Sequence, residues 1–349
     1  MGAAEEEQSF AVADDDTKLF VRSRPRSPRA RVIQSEFSGS GLAESERLIE
    51  LGQSDPLIEL AQSGLPNETI EATKEDVRIF LCDGILCDGF IWKYLWDDLA
   101  QIVSLTHWHY RGHGRSGAPH DPDRIDIADH ADDLMAVRRK VGDPPAVLIG
   151  HSMGCQVALE GYRRHPKGVR GLVLICGTFG KVTSTFKGLP LLDMVLPKLL
   201  DLALKRPEVV RAFWSRIPPE LAFNVAARIG EIDLTQVQRE DIMPYLQHIP
   251  HVDFPMFLRM LRSAGEHTAG DFLGQIDVPT LIITGERDTF TPPFLAESMA
   301  KSIAGAELMV VKNGTHVAAL EQHEMVDEKI RDFVQTRVLS QPVAEEAHS

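Results

Sequence analysis

Gly150-His151-Ser152-Met153-Gly154 is the stretch whose reading decides the fold. An apolar run, Ala146-Val147-Leu148-Ile149, precedes it, with Pro144-Pro145 upstream. Val157, Ala158, Leu159 and Tyr162 follow at helical spacing. The order is strand, sharp turn, helix. A serine at such a turn is held in a strained backbone conformation with its hydroxyl exposed above a sheet. Glycines on either side let neighbouring backbone approach closely. Ser152 is therefore a candidate nucleophile, and the surroundings carry that reading more than the five letters do.

Working outward, the same alternation continues in both directions. Val77–Cys82 and Ile102–Thr106 read as strands, with a helix over Trp92–Leu99 between them. Ile127–Val141 is helical, and Val169–Ile175 is a strand. Thr280–Thr284 and Glu307–Val311 are two late strands, each followed by a helix, the last over Met325–Val338. Apolar strands alternating with helices predict an α/β fold with a mostly parallel central sheet and helices on both faces. The regularity stops between Thr178 and Gly270. That stretch is leucine-rich, helical in pattern and punctuated by prolines, which predicts a helical insertion between two strands.

The expected division is an N-terminal segment over 1–76, a core made of 77–177 and 271–340, a helical cap over 178–270 and a tail over 341–349. In the first segment the acidic start is expected to fray, and Lys18–Arg22 is a candidate short strand. The arginine-rich run from Arg22 to Arg31 reads as a solvated loop, and helical patterns occur over Leu42–Leu51 and Leu57–Ala61.

A serine hydroxyl needs a base within hydrogen-bond reach and a third group to orient that base. In the order serine, acid, histidine, the partners belong just after later strands, because strand ends converge on one edge of an open sheet. Asp288 follows the Thr280 strand and His316 follows the Glu307 strand. Glu286 is a competing acid, and Asp288 could instead cap a helix. His151 is expected to pack and hydrogen-bond rather than act as the base.

Three further motifs accompany the pentapeptide: Tyr110-Arg111-Gly112-His113-Gly114-Arg115-Ser116, Pro279-Thr280-Leu281-Ile282-Ile283-Thr284-Gly285-Glu286-Arg287-Asp288, and Gly314-Thr315-His316. Together they resemble the α/β-hydrolase fold superfamily, of the capped serine-hydrolase type, over about Val77 to Val338. The resemblance implies catalytic Ser152, Asp288 and His316. It implies an oxyanion hole from the backbone N–H groups of Met153 and Ile85. It also implies acyl transfer, since relatives that open epoxides or displace halide carry a carboxylate where Ser152 stands.

Two departures stand out. Asp83 occupies a place where the family usually has histidine, and a carboxylate there could oppose negative charge in the transition state. His107-Trp108-His109 lies where an aspartate is common.

The expected activity is hydrolysis of carboxylic esters with small or medium apolar acyl groups. A thioesterase, carbon–carbon hydrolase, amidase or peptidase, or cofactor-free perhydrolase uses the same triad. A non-catalytic binding protein of this fold is the reading from another class. No cofactor or metal is expected, because His107, His109 and His113 lack carboxylates at matching spacing.

The chain has 349 residues and a net charge of −14, which argues against nucleic acid and anionic membrane as main partners. No signal peptide or membrane-spanning run is read in it. The four cysteines, Cys82, Cys87, Cys155 and Cys176, look like small buried hydrophobes. They suit a cytoplasmic location. Oligomeric state is not legible in the sequence.

Overall fold

The computed structural model describes residues 5–27, 77–180, 191–214, 216, 218, 220, 221, 224, 232, 233 and 235–340. The helical patterns expected at Leu42–Leu51 and Leu57–Ala61, and the tail over 341–349, lie outside the described residues.

Eight strands form one sheet: β1 (Glu7–Val12), β2 (Lys18–Arg24), β3 (Arg78–Cys82), β4 (Ser104–Trp108), β5 (Ala146–His151), β6 (Val169–Ile175), β7 (Thr280–Gly285) and β8 (Glu307–Val311). Their spatial order is β1-β2-β4-β3-β5-β6-β7-β8. The β1–β2 and β2–β4 pairs are antiparallel and the rest are parallel. Strands β6 and β8 have the boundaries the sequence predicts, whereas β4 starts two residues later, at Ser104.

The period-2 pattern sends alternate residues to opposite faces, and both faces are buried. Phe80, Leu148, Leu172 and Ile282 belong to one apolar cluster, while Ile79, Leu81, Val147, Ile149, Val173 and Ile283 belong to the other. Helices α1 (Lys93–Leu99), α2 (Ile127–Lys140) and α3 (Met153–Arg164) follow β3, β4 and β5 in turn. Residues of α2 and α3 cover the first face. Leu95, Trp96 and Leu99 of α1 cover the second. Asp126 starts α2 with a capping box: its side chain accepts from the Asp129 N–H while the Asp129 side chain accepts from its own.

The N-terminus departs from expectation. Residues 7–24 are not a frayed start with one short strand but a two-stranded hairpin built into the sheet. Ala11, Leu19 and Val21 point into the first apolar cluster, which offsets the acidic composition around them. The hairpin turn is tied down by Arg111. This guanidinium is fully buried, donates to both oxygens of Asp133 on α2, and reaches Asp15 at 3.2 Å. Arg22 and Arg24 sit in β2 and are half-buried, so the arginine run is not wholly a solvated loop. Arg29 and Arg31 lie outside the described residues.

Between β6 and β7 the described residues form helices and no named strand: α4 (Leu191–Lys205), α5 (Pro207–Trp214), α6 (Arg239–His248) and α7 (Phe254–Glu266). The two ends of this stretch meet where Gly180 bridges Thr268 and Ala269 N–H donates to Phe179 O at 2.7 Å. Leu196, Leu200 and Ala203 of α4 pack on Leu258 of α7 as a separate small cluster, while Val195, Leu199 and Leu202 stay exposed. Among the described residues three more α-helices follow, α8 (Pro293–Ser302), the short α9 (Ala318–Glu321) and α10 (His323–Phe333), the last continuing into a π-helix over Val334–Leu339. Val326, Ile330 and Phe333 of α10 close the second face of the sheet. No helix among the described residues is long and apolar enough to cross a membrane.

Candidate active site

Strand β5 ends at His151 and helix α3 begins at Met153, leaving Ser152 alone in the turn with φ 54° and ψ −121°. A non-glycine residue pays for positive φ in strain, and the surroundings hold it there. Its N–H donates to Ile175 O of β6 at 3.0 Å. The two glycines of the pentapeptide are required by contact. A Cβ on Gly150 would lie 2.4 Å from Gly154 O, and one on Gly154 would lie 2.0 Å from Cys82 O. The turn is therefore wedged against the end of β3.

Asp288 follows β7 and His316 follows β8, so both stand at the same carboxyl edge as Ser152. The three side chains meet in a line. His316 Nδ1–H donates to Asp288 Oδ2 at 2.9 Å, since the carboxylate can only accept. That leaves His316 Nε2 as an acceptor for the Ser152 hydroxyl, 2.9 Å away. The Phe290 ring lies 4.9 Å from the imidazole.

Asp288 is buried, and its oxygens take three further donors: Phe290 N–H at 2.9 Å, Thr291 N–H at 2.8 Å and the Thr291 hydroxyl at 2.7 Å. Burial pushes its pKa up, but His316 and the Thr291 donors prevail and hold it below the ordinary carboxylate value. It stays ionised and faces the imidazole. Asp288 caps no helix, since α8 starts from Pro292 without a side-chain cap; its carboxylate closes the turn after β7 and also orients His316. Glu286 is elsewhere, exposed and accepting from the Asn313 N–H at 2.8 Å.

His151 Nε2–H donates to His316 O at 3.0 Å, which fixes the backbone that carries the imidazole. Burial first, then the neighbouring His316, depresses the His151 pKa to about 4, so it stays neutral. The turn before His316 is also braced: Glu321 accepts from Thr315 N–H and from the Thr315 hydroxyl, both at 2.7 Å. Sequence reasoning singles out neither Thr291 nor Glu321. Thr291 had a signal, since a threonine three residues after an aspartate in a turn is a hydrogen-bonding pattern.

Met153 is the first residue of α3, where a helix leaves its N–H groups without intrahelical acceptors. Ile85 lies in a turn closed by Cys87 N–H to Gly84 O at 3.2 Å, with Leu86 at φ 63°. The turn abuts the nucleophile: a Cβ on Gly84 would be 3.2 Å from Ser152 Cβ. Among the described residues neither the Met153 nor the Ile85 N–H has a hydrogen-bond partner.

The two departures from the family pattern touch each other. His107 and Asp83 are both fully buried, and His107 Nε2–H donates to Asp83 Oδ2 at 2.8 Å. Trp92 Nε1–H donates to Asp83 Oδ1 at 2.6 Å. Burial pushes Asp83 up, yet His107, His109 and the Trp92 donor hold its pKa below the ordinary value. His109 accepts from Arg115 N–H at 2.9 Å, and His113 Nδ1–H donates to Arg111 O at 3.0 Å. Each of the three histidines is thus engaged by protein groups. A cavity of about 550 Å³ between α2 and α7 is lined by Glu160, Arg259, Arg262 and Glu266 among others, and touches none of Ser152, Asp288 or His316.

A family model described as the alpha/beta hydrolase family matches residues 84–328. The pimeloyl-[acyl-carrier protein] methyl ester esterase of Neisseria meningitidis serogroup B is 30% identical over 251 residues, covering 70% of this chain and 88% of that protein. The proline iminopeptidase of Saccharolobus solfataricus is 26% identical over 240 residues, covering 66% of this chain and 76% of that one. Among solved structures, an esterase from Exiguobacterium antarcticum superposes with a TM-score of 0.64 at 19% identity, covering 95% of this chain and 100% of that one. The sheet order, the matched span and these relatives agree: the chain belongs to the alpha/beta hydrolase family and is a hydrolase.

Proposed function

We propose that the protein is a serine hydrolase that cleaves carboxylic esters of small or medium apolar acyl groups through an acyl-enzyme. The observation that carries this reading is the unbroken hydrogen-bonded line Asp288–His316–Ser152. Ser152 Oγ attacks the carbonyl carbon while His316 Nε2 takes its proton. The negative oxygen of the tetrahedral intermediate sits between the Met153 and Ile85 N–H groups. Collapse expels the alcohol, which receives the proton from His316, and leaves the acyl group on Ser152. Water then repeats the sequence with His316 as base, releasing the acid. Asp288 keeps the imidazole in the productive tautomer and stabilises its charged form.

The helical stretch over 178–270 acts in this reading as a cap. Its α6 and α7 contribute Ile242, Leu246, Met256 and Met260 to the two core clusters, and its apolar composition favours an apolar acyl group. The esterase relative supports an ester substrate, and the iminopeptidase relative keeps amide hydrolysis in the comparison. The four buried cysteines suit a reducing, cytoplasmic setting.

Labelling with a fluorophosphonate probe tests the nucleophile. Wild-type protein is expected to label and Ser152→Ala to lose both labelling and ester hydrolysis; equal labelling of the two would overturn the assignment. A panel of p-nitrophenyl esters of increasing chain length, with thioester and amide controls, then fixes the substrate class. Faster turnover of the amides than of the esters would replace the ester reading with the amide one.

A further inference from the structure

The turn that carries the Ile85 N–H has little support of its own. It starts at the end of β3, contains Gly84, and holds Leu86 at positive φ. Something must fix its position against Ser152, because a displacement of about 1 Å in such a donor costs roughly 100-fold in rate. The residue at its base is Asp83, and every oxygen of Asp83 is engaged. Oδ1 accepts from Trp92 Nε1–H at 2.6 Å, Oδ2 from His107 Nε2–H at 2.8 Å, and the backbone carbonyl from the Tyr110 hydroxyl at 2.8 Å.

The arrangement is written into the sheet register. Arg22 of β2 pairs with His107 of β4, and His107 pairs with Leu81 of β3. Asp83 lies two residues beyond Leu81, so it shares that face. The three polar side chains therefore stand in a row across neighbouring strands. Arg22 Nε–H donates to His107 Nδ1 at 3.1 Å, which places the imidazole proton on Nε2, facing Asp83. The guanidinium of Arg22 in turn lies over the Trp96 ring, 4.5 Å from its centre. One negative and one positive charge close the row, so the carboxylate is compensated and its lone pairs point into fixed donors.

We propose that Asp83, held by His107, Arg22 and Trp92, is the positioning residue of the oxyanion hole: it locks the 83–86 turn so that the Ile85 N–H meets the developing negative charge on the substrate. This rests on the acyl-transfer reading above and deepens it. It also gives the N-terminal hairpin a part in catalysis, through Arg22. The charge concern raised by Asp83 resolves the same way: the carboxylate is bound to its own donors and compensated two links away.

The test uses Asp83→Asn, which keeps an acceptor for Trp92 but turns an N–H against the His107 N–H, and His107→Leu, which removes one donor from Asp83. Both are compared with wild type on the best ester and on a boronic acid that mimics the tetrahedral intermediate. A positioning role predicts kcat lower by about 10- to 100-fold with KM little changed, and boronate affinity weakened by a similar factor. His107→Gln, which retains an N–H toward Asp83, should recover most of the His107→Leu loss. Should Asp83→Asn not fold, as judged by circular dichroism, Trp92→Phe replaces it, removing the other donor without changing charge. A folded variant with wild-type kcat, or a loss confined to KM, or a lower kcat with unaltered boronate affinity, overturns the proposal. Fluorophosphonate labelling of the wild type separates the two levels. An unlabelled wild type removes the acyl-transfer reading, whereas a labelled wild type with an unimpaired Asp83→Asn removes only the positioning role.

Discussion

At the scale of single residues, function depends on which lone pair faces which proton. Asp288 can only accept, so its 2.9 Å contact dictates that His316 carries its proton on Nδ1 and offers Nε2 to Ser152. Asp288→Asn removes that instruction, because the amide can present N–H to the ring and favour the other tautomer. The Phe290 and Thr291 N–H groups still find an acceptor, so the turn survives. We expect kcat to fall by roughly 10⁴-fold with KM little changed and the thermal midpoint near wild type. Steady-state kinetics beside a melting curve check this; a loss under tenfold would remove Asp288 from the proposed triad. Ser152, Asp288 and His316 were legible in the sequence because each sits just beyond an apolar strand. Thr291 carries a local signal, three residues after Asp288 in the same turn, whereas Glu321 carries none, because its carboxylate meets Thr315 only once α9 folds back on the turn after β8.

At the scale of elements, the site is a junction between the ends of β3 and β5. Gly154 belongs to the first turn of α3, yet its Cα faces the carbonyls of Cys82 and Asp83. Gly154→Ala would place a methyl 2.0 Å from Cys82 O and 2.6 Å from Asp83 O, both backbone atoms that cannot rotate away. We expect a cost of about 3 kcal/mol or more, with activity falling further as the 83–86 turn is pushed from Ser152. Denaturant unfolding measures the first effect and ester turnover the second; a variant of wild-type stability would contradict the wedge. The β1–β2 hairpin teaches the same lesson from the other side. Its sequence is short, with Asp14, Asp15 and Asp16 at its turn, and local propensity does not announce β1. Pairing with β4 and burial of Ala11, Leu19 and Val21 make it part of the sheet.

At the scale of the whole molecule, buried charge sets how stability follows pH. Asp327 on α10 is buried beside Asp98. Burial first, and then Asp98, push its pKa up to about 7 against the opposing pull of Arg331. A carboxyl whose pKa is higher in the fold than in the unfolded chain is bound to its proton more tightly when folded. Stability therefore declines as pH rises from the ordinary carboxylate value toward the folded one, and the penalty is complete above it. Asp327→Asn removes the penalty. The variant's advantage over wild type should grow by about 1 to 3 kcal/mol between about pH 5 and pH 8. Urea unfolding at both pH values reads it; an advantage that shrinks toward pH 8 would reverse the sign of the argument.

The sequence by itself determined the α/β class, the parallel strands from β3 to β8, the helical insertion and the position of a serine, an acid and a histidine at strand ends. Those features are local: apolar runs, turn residues and chain order express them without long-range contact. Only the tertiary structure decided that residues 7–24 complete the sheet, that Asp288 rather than Glu286 faces His316, and that Asp83 and His107 belong together. The reason is physical. Hydrogen bonds between residues 24 positions apart, or 85 in the case of Arg22 and His107, are set by strand register and burial, which no local pattern encodes.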